Sequence, residues 1–571
     1  MNTLEVSMKR SEITITVSTL LLAGGIVAGA GIRLAHLGMH PLSDSEARLA
    51  MQAYQTAVGQ PSQWSGHPLY LILTSLLFRI FEDTNFTARL VPALAGIALL
   101  FLPVLHREKL GKLATVLAVW LLAIEPAMVA ASRLAGSNML ALTLMMYTIS
   151  MLLQKRSKTA AVLLGFTLLT GPSLWLGIIL LVMATLCWFV FNQMDREELF
   201  SRFDFITPTF WAITAVVFGL TSVLFMIMPQ GISSFAGSLV DFLGYWRSGG
   251  VDIRLALLAL PLYTPLVLIA GVVGVVRAFK NGEPFENLLS WWIIVAFLGV
   301  VCLPGRSLYS LIWVTLPLAI LAARQLTRMF VVNHYDAGQA MLIAGFVALI
   351  LLFIWQVFGT LNQDKMDMKN FLIYSGAALL ILVICALLAV LGWSVKVTGL
   401  GYAWAFSLAL ALFTLMSTWR SAGISTEIQK EFWNNGNDPT EVMLLDKTVK
   451  DMSDVAMGAP DGLQVVTLGQ VQSSVVWALR HQDVREVDGL AGDDSPDLVI
   501  TPMQADLTLA KAYRGQDFTI RSQMDFNSMT VQDWMKWLMI RKVPTNAVET
   551  DILWARGDLF PGYRPILPAG E

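Results

Sequence analysis

The chain has 571 residues, 56% of them hydrophobic and 14% charged, with a mean hydropathy of +0.63. A soluble globular domain carries about 25% charged residues, so this composition describes a polytopic membrane protein. The net charge of −2 and the lack of a basic tract argue against a nucleic-acid partner.

In chain order, Lys9-Arg10 precedes an apolar run of spanning length with no small-residue cleavage site. It reads as a retained signal-anchor helix. A span needs about 20 apolar residues, fewer inside a bundle. Apolar runs fall near 12–32, 86–105, 113–131, 138–153, 159–170, 173–191, 208–228, 256–276, 288–303, 307–323, 340–358, 370–391 and 400–418, thirteen in all. A further run over 68–81 is short for a span.

Charge placement decides the role of 68–81. With Lys9-Arg10 in the cytoplasm and 68–81 lying along the surface, His106-Arg107-Glu108-Lys109, Lys155-Arg156-Ser157-Lys158, Arg196 to Arg202, Arg277 to Lys280, Arg324 to Arg328 and Lys396 all fall inside. The spacing therefore predicts an interfacial helix over 68–81 within a large first outer loop, 33–85. Thirteen spans then place the C-terminus outside. From about Ser421 polar residues increase and apolar runs shorten. Leu463 to Leu468 and Asp497 to Ile500 read as strands, Ser473 to Arg480 and Val531 to Ile540 as helices. The expected organisation is a transmembrane domain over 1–420 and a small extracytoplasmic α/β domain over 421–571. The three cysteines, Cys187, Cys302 and Cys385, lie in apolar runs with no metal-ligand or disulfide spacing.

The residues able to carry chemistry cluster at the outer side. In His40 to Arg48, two carboxylates and an arginine sit beside a membrane, where ionised groups are costly without water, a partner or a substrate. Asp44 or Glu46 could act as general base, or ligate a metal, and Arg48 could hold a phosphate. The same residues also suit a helix start, with Ser43 or Asp44 as N-cap and Glu46 in the first turn. A capped helix can still present its carboxylates. His67, before Pro68, could bind a metal or a phosphate, or simply sit at the interface. Arg133 ends the third span, and Glu125-Pro126 lies about two turns deeper. Arg306, in Pro304-Gly305-Arg306, could meet a lipid phosphate, and Trp246-Arg247 with Asp252-Arg254 occupies another outer loop. Trp534, Trp537 and Trp554 read as core of the C-terminal domain.

Several of these segments follow one family pattern in order. Ser43-Asp44-Ser45-Glu46-Ala47-Arg48-Leu49-Ala50 looks like the first-loop Asp-Glu-Ala-Arg-Tyr-Ala of the GT-C superfamily of membrane glycosyltransferases. Gly66-His67-Pro68-Leu69-Tyr70 looks like its Lys-Pro-Pro-Leu segment, and Phe86 to Gly96 its Arg-Leu-Pro-Ser-Ala-Leu run. Glu125-Pro126 through Arg133 and Met139-Leu140, then Arg306 to Tyr309 and Leu316-Pro317-Leu318, resemble later junctions. The chain thus resembles the protein O-mannosyltransferase and lipid A aminoarabinose transferase branch, glycosyltransferase family 39-like, most closely over about 30–150.

The resemblance implies a GT-C-like helical membrane protein of a prokaryotic plasma membrane. It implies inverting transfer of a sugar from a polyprenyl-phosphate donor to a protein, lipid or glycan acceptor on the outer side. A first-loop carboxylate, Glu46 or Asp44, would be base or metal ligand. Arg48, His67, Arg133, Arg306 and Tyr309 would bind the donor phosphate, with Glu125 and Asn138 as further site residues. A divalent metal could sit on Asp44, Glu46 and His67. Two departures stand out. Strict alignment puts Ser45-Glu46 on the family's acidic pair and displaces Asp44 by one. Gly136-Ser137-Asn138 stands where many relatives carry an acid, and an amide cannot act as a base. The alternatives are a non-catalytic scaffold or glycan-binding protein of the same fold, and a lipid-linked sugar transporter.

Overall fold

A computed structural model describes residues 16–191, 207–223, 229–281, 283–331, 333–360, 368–424, 431–434, 440–469, 471–490, 494–503, 511–524, 526, 528–541 and 545–560. Each of the thirteen apolar runs contains a helix, but the helices do not make thirteen equivalent spans. Among the described residues, eight helices are long and apolar enough to cross a membrane. Two further spans exist if each bent pair is counted as one: Lys112–Ala123 with Pro126–Ser132, bent by 57°, and Ile253–Tyr263 with Pro265–Lys280, bent by 94°. These long apolar helices make the chain an integral membrane protein, with eight to ten candidate spans among the described residues. The remaining three expected spans fall on shorter apolar helices, Asn138–Leu153, Ser157–Leu168 and Pro208–Ser222. At about 1.5 Å rise per residue, the 12-residue helix Ser157–Leu168 reaches far less than the ~30 Å hydrocarbon core. Hydropathy detects apolar runs but not where a helix starts and stops.

The N-terminal third builds the part that matters for chemistry. Helix α1 spans Val17–Leu34, α2 Asp44–Val58, α3 Pro68–Ile80 and α4 Asn85–Leu99. Ser43 precedes α2 as its N-cap, and Gly59 ends it in the left-handed conformation that glycine adopts without strain. Pro68 opens α3, where its missing N–H costs nothing. That 13-residue helix buries Leu69 to Ile72, Thr74, Ser75 and Phe78, and the Tyr70 hydroxyl donates to the Ala88 carbonyl of α4 at 2.8 Å.

The first bent span is held by Arg33, which is fully buried. A break in a helix frees carbonyls that a bilayer cannot solvate. The Arg33 guanidinium donates to Leu122 and Ala123 carbonyls at 3.0 and 3.1 Å, to Gly29 at 3.1 Å and to Ser132 Oγ at 3.3 Å. Close packing allows this reach: a Cβ on Gly96 would lie 2.0 Å from Ser132 Oγ and 3.0 Å from Arg33 Nε. Glu125 sits in the same break and is also fully buried.

The last long helix ends at Ser421, and a five-stranded mixed sheet follows in order β2-β1-β3-β5-β4. The strands are β1 Gln464–Leu468, β2 Asp483–Val487, β3 Leu498–Pro502, β4 Tyr513–Met524 and β5 Thr545–Arg556. β1 pairs in parallel with β2 and β3, and β5 runs antiparallel to β3 and β4. Helices Ser473–Ala478 and Val531–Ile540 lie where the sequence predicts them. Between bundle and sheet runs a buried strap. Glu431 accepts from the Tyr263 hydroxyl at 2.5 Å and from Arg541 Nε at 3.0 Å, and Phe432 stacks on the fully buried Trp537 at 4.6 Å.

Replacing Arg33 with Met tests the break. Each carbonyl left without a donor costs about 1–3 kcal/mol, so the variant should melt well below wild type in detergent, and Arg33→Lys should recover only part. An unchanged melting temperature in R33M would show that the break needs no such cap.

Candidate active site

The two first-loop carboxylates sit in the first turn of α2 but do different things. Glu46 is 3% exposed and accepts from five donors. Ser43 N and Oγ reach Oε2 at 3.0 and 3.1 Å, and Ala135 N reaches Oε1 at 2.8 Å. Arg89 of α4 closes the set with a forked pair, Nε to Oε1 and Nη2 to Oε2, both at 2.8 Å. Its remaining donors reach the carbonyls of Leu37, His40 and Pro41, so this one side chain fixes the turn before α2 as well. Burial alone would raise the Glu46 pKa, but the Arg89 charge and the hydrogen bonds outweigh it and hold the carboxyl below its ordinary value. With all its lone pairs engaged, Glu46 is a latch in this arrangement and has no room for an incoming proton.

Asp44, two residues earlier, is half-buried. Its Oδ1 accepts from Ser474 N at 3.0 Å and Ser474 Oγ at 2.7 Å, both from the C-terminal domain. No described residue donates to Oδ2. Arg48 lies one turn along the same face of α2 and is exposed.

The other expected phosphate ligands are committed to backbone. Arg133 Nη1 donates to Ile32, Arg33 and Ala35 carbonyls at 2.8–3.0 Å and Nη2 to His36, capping the end of α1. Arg306 donates to Val301 and Val251 carbonyls at 3.2 and 3.0 Å and so ties two loops. The Tyr309 hydroxyl donates to the Trp433 carbonyl of the strap at 2.7 Å. All three of these expected phosphate ligands bond backbone carbonyls in this structure. His67 bonds Ser137 Oγ through Nδ1 at 2.6 Å, and burial lowers it to about 4, so it is neutral at physiological pH. Gly171, at φ +105°, packs where a Cβ would fall 2.7–3.0 Å from Gly66, Ser137 and His67. Asn138 follows as the first residue of its helix. Glu125 lies in the bent span, buried among apolar neighbours. Among the described residues, no group of three or more His, Cys, Asp or Glu side chains could hold a metal ion, so Asp44, Glu46 and His67 do not form one.

Sequence reasoning did not assign Arg89 a partner, nor find Ser474. Arg89 could have been flagged, since an arginine in an apolar run requires a counter-charge, but Glu82 and Asp83 lie nearer to it in sequence than Glu46 does. Ser474 left no trace, being 430 residues from Asp44.

No protein-family model matches the chain, and no curated protein matches it in sequence. Solved structures do. ArnT from Cupriavidus metallidurans bound to undecaprenyl phosphate superposes with a TM-score of 0.53 at 14% identity, over 85% of this chain and 92% of that one. The chain has a GT-C-like fold. The apo state of the same protein gives 0.53 at 15% identity with the same coverage. The apo oligosaccharyltransferase of Archaeoglobus fulgidus gives 0.47 at 12%, over 82% of this chain and 64% of that one. The GT-C-like resemblance found in the sequence motifs therefore holds at the level of the fold.

Arg89→Ala should cost about 3–5 kcal/mol, because it leaves a buried carboxylate unpaired. The pH dependence follows from the lowered Glu46 pKa. Its stabilisation is complete above the ordinary carboxylate value of about 4.3 and is lost as pH falls through the lower folded value. Thermal melts from pH 7 to pH 3 should show this acid-dependent loss in wild type and a smaller one in R89A; parallel curves would contradict the latch.

Proposed function

We propose that the chain transfers a sugar from a polyprenyl-phosphate donor to an acceptor hydroxyl on the outer side of the membrane, with Asp44 as general base. The observation that carries this reading is the contrast within one helical turn. Glu46 is saturated and immobile, while Asp44 keeps Oδ2 uncommitted among the described residues, beside the exposed Arg48.

The chemistry requires such a group. An acceptor hydroxyl has a pKa far above neutral, so its proton must leave as the oxygen attacks the sugar C1. Asp44 takes that proton. The C1–O bond to phosphate breaks with its electron pair, and the polyprenyl phosphate departs. Positive charge near the leaving phosphate lowers the barrier as charge develops there. Arg48 is the first-loop cation whose guanidinium is not spent on the backbone, and it lies on the face that Asp44 occupies. One displacement with one base inverts the anomeric centre.

The fold adds support. ArnT, whose fold this chain shares, has been seen with undecaprenyl phosphate bound. In this reading the first loop and the C-terminal domain face outward, and the exposed apolar faces of the long helices meet lipid. Protein, lipid and glycan hydroxyls are all chemically competent acceptors.

Asp44→Asn tests the assignment in a strain lacking the wild-type chain, with envelope glycans profiled by mass spectrometry. General-base loss should reduce transfer by at least about 100-fold with normal expression and melting temperature. Glu46→Gln should instead lower the amount of folded protein. Wild-type glycans in D44N would overturn Asp44 as the base.

A further inference from the structure

Resting on the reading of Asp44 as base, we propose that Ser474 of the C-terminal domain is a positioning residue for that carboxylate, so that the domain completes the site in cis. The geometry is specific. Ser474 places two donors, N at 3.0 Å and Oγ at 2.7 Å, on the same oxygen of Asp44. Two bonds to Oδ1 fix the carboxylate's rotation and leave Oδ2 as the basic atom. A contact serving only to glue two domains would have no reason to spare that atom.

The placement of Ser474 is overdetermined. Trp477, one turn on and 2% exposed, donates from Nε1 to Asn85 Oδ1 at 2.8 Å and stacks on Phe78 of α3 at 5.8 Å. Arg480 Nε meets Asp83 Oδ2 at 2.7 Å, His481 lies 3.2 Å from the same oxygen, and the Arg480 guanidinium lies 4.1 Å over the Trp477 ring. These contacts clamp the segment 473–481 onto α3, the loop after it and the start of α4, and deliver Ser474 to the start of α2. Rigid support of this kind holds a reacting group in register.

The charges around Asp44 make the restraint necessary. Glu549 and Asp551 alternate on β5, so their side chains share one face of the sheet. Gln472 donates to Glu549 at 3.1 Å, and Arg521 of β4 lies 3.5 Å from Glu549. Asp551 is 3% exposed, its Oδ2 has no hydrogen-bond partner among the described residues, and burial with the charges of Glu549 and Asp44 pushes it up to about 6. Like charge from β5 repels an ionised Asp44. The two donors of Ser474 are the attraction that opposes it.

The test uses full-length protein in nanodiscs supplied with solubilised native-host membranes, which carry both lipid-linked sugars and acceptors, and reads release of undecaprenyl phosphate by mass spectrometry against donor concentration. Ser474→Ala should cut kcat about tenfold through loss of register with KM for the donor unchanged. Ser474→Thr, which keeps the hydroxyl, should restore kcat. Trp477→Phe weakens docking and should lower the melting temperature without this selective loss of kcat. If D44N abolishes release while S474A keeps the wild-type kcat, Ser474 has no positioning role and the base assignment stands. If S474A and W477F lose rate equally and S474T does not restore it, the contact is docking alone and the proposal fails. If D44N releases at the wild-type rate, the base assignment and the Ser474 role fall together.

Discussion

The buried Glu46–Arg89 pair is the interaction on which the rest of the first loop depends. An isolated charge in this setting would cost several kcal/mol, and only excellent geometry with further hydrogen bonds repays it. Here the fork is symmetric at 2.8 Å, and both partners spend their remaining capacity on backbone. The pair joins the first turn of α2 to α4 and, through Ala135, to the junction before the helix Asn138–Leu153. Three separate segments are thereby held around one carboxylate. Two positions earlier Asp44 accepts through Oδ1 alone among the described residues.

The ionised groups divide into two sets. Arg33, Arg133 and Arg306 all donate to carbonyls at helix breaks or helix ends. A bilayer forces this use, because irregular backbone at membrane depth survives only where protein satisfies it. The GT-C-like bundle has bent spans and short helices, so its demand for such donors is high. Arginine meets that demand better than lysine, since its planar fork serves several acceptors at once. The second set, not bonded to backbone carbonyls among the described residues, includes Asp44 and Arg48 at the start of α2, near the docked segment 473–481. Chemistry is expected where charge is not consumed by structure.

Much of this was legible in the sequence. Composition required a membrane protein, charge asymmetry along the loops singled out the first loop, and Ser43 with Glu46 predicted the start of α2. The ordered motifs pointed to the GT-C superfamily, and the fold agrees at 14–15% identity. Hydropathy did not reveal the 57° and 94° bends, which fall at Pro126 and Pro265 inside apolar runs, nor the short lengths of three of the helices. Nor was the ranking of the two acids. Strict motif alignment favours Glu46, yet its partner lies 43 residues away, and Asp44 meets a residue 430 away. Local periodicity carries no information about pairs that distant. The same limit applies to Arg133 and Arg306, whose carbonyl partners could not be read from the sequence.

The most direct measurement is a cryo-EM structure of the full chain in nanodiscs with undecaprenyl phosphate. The account predicts phosphate density within hydrogen-bond reach of Arg48, facing Asp44 Oδ2, with the Glu46–Arg89 fork intact. Phosphate bound to Arg89 with Glu46 displaced would contradict it.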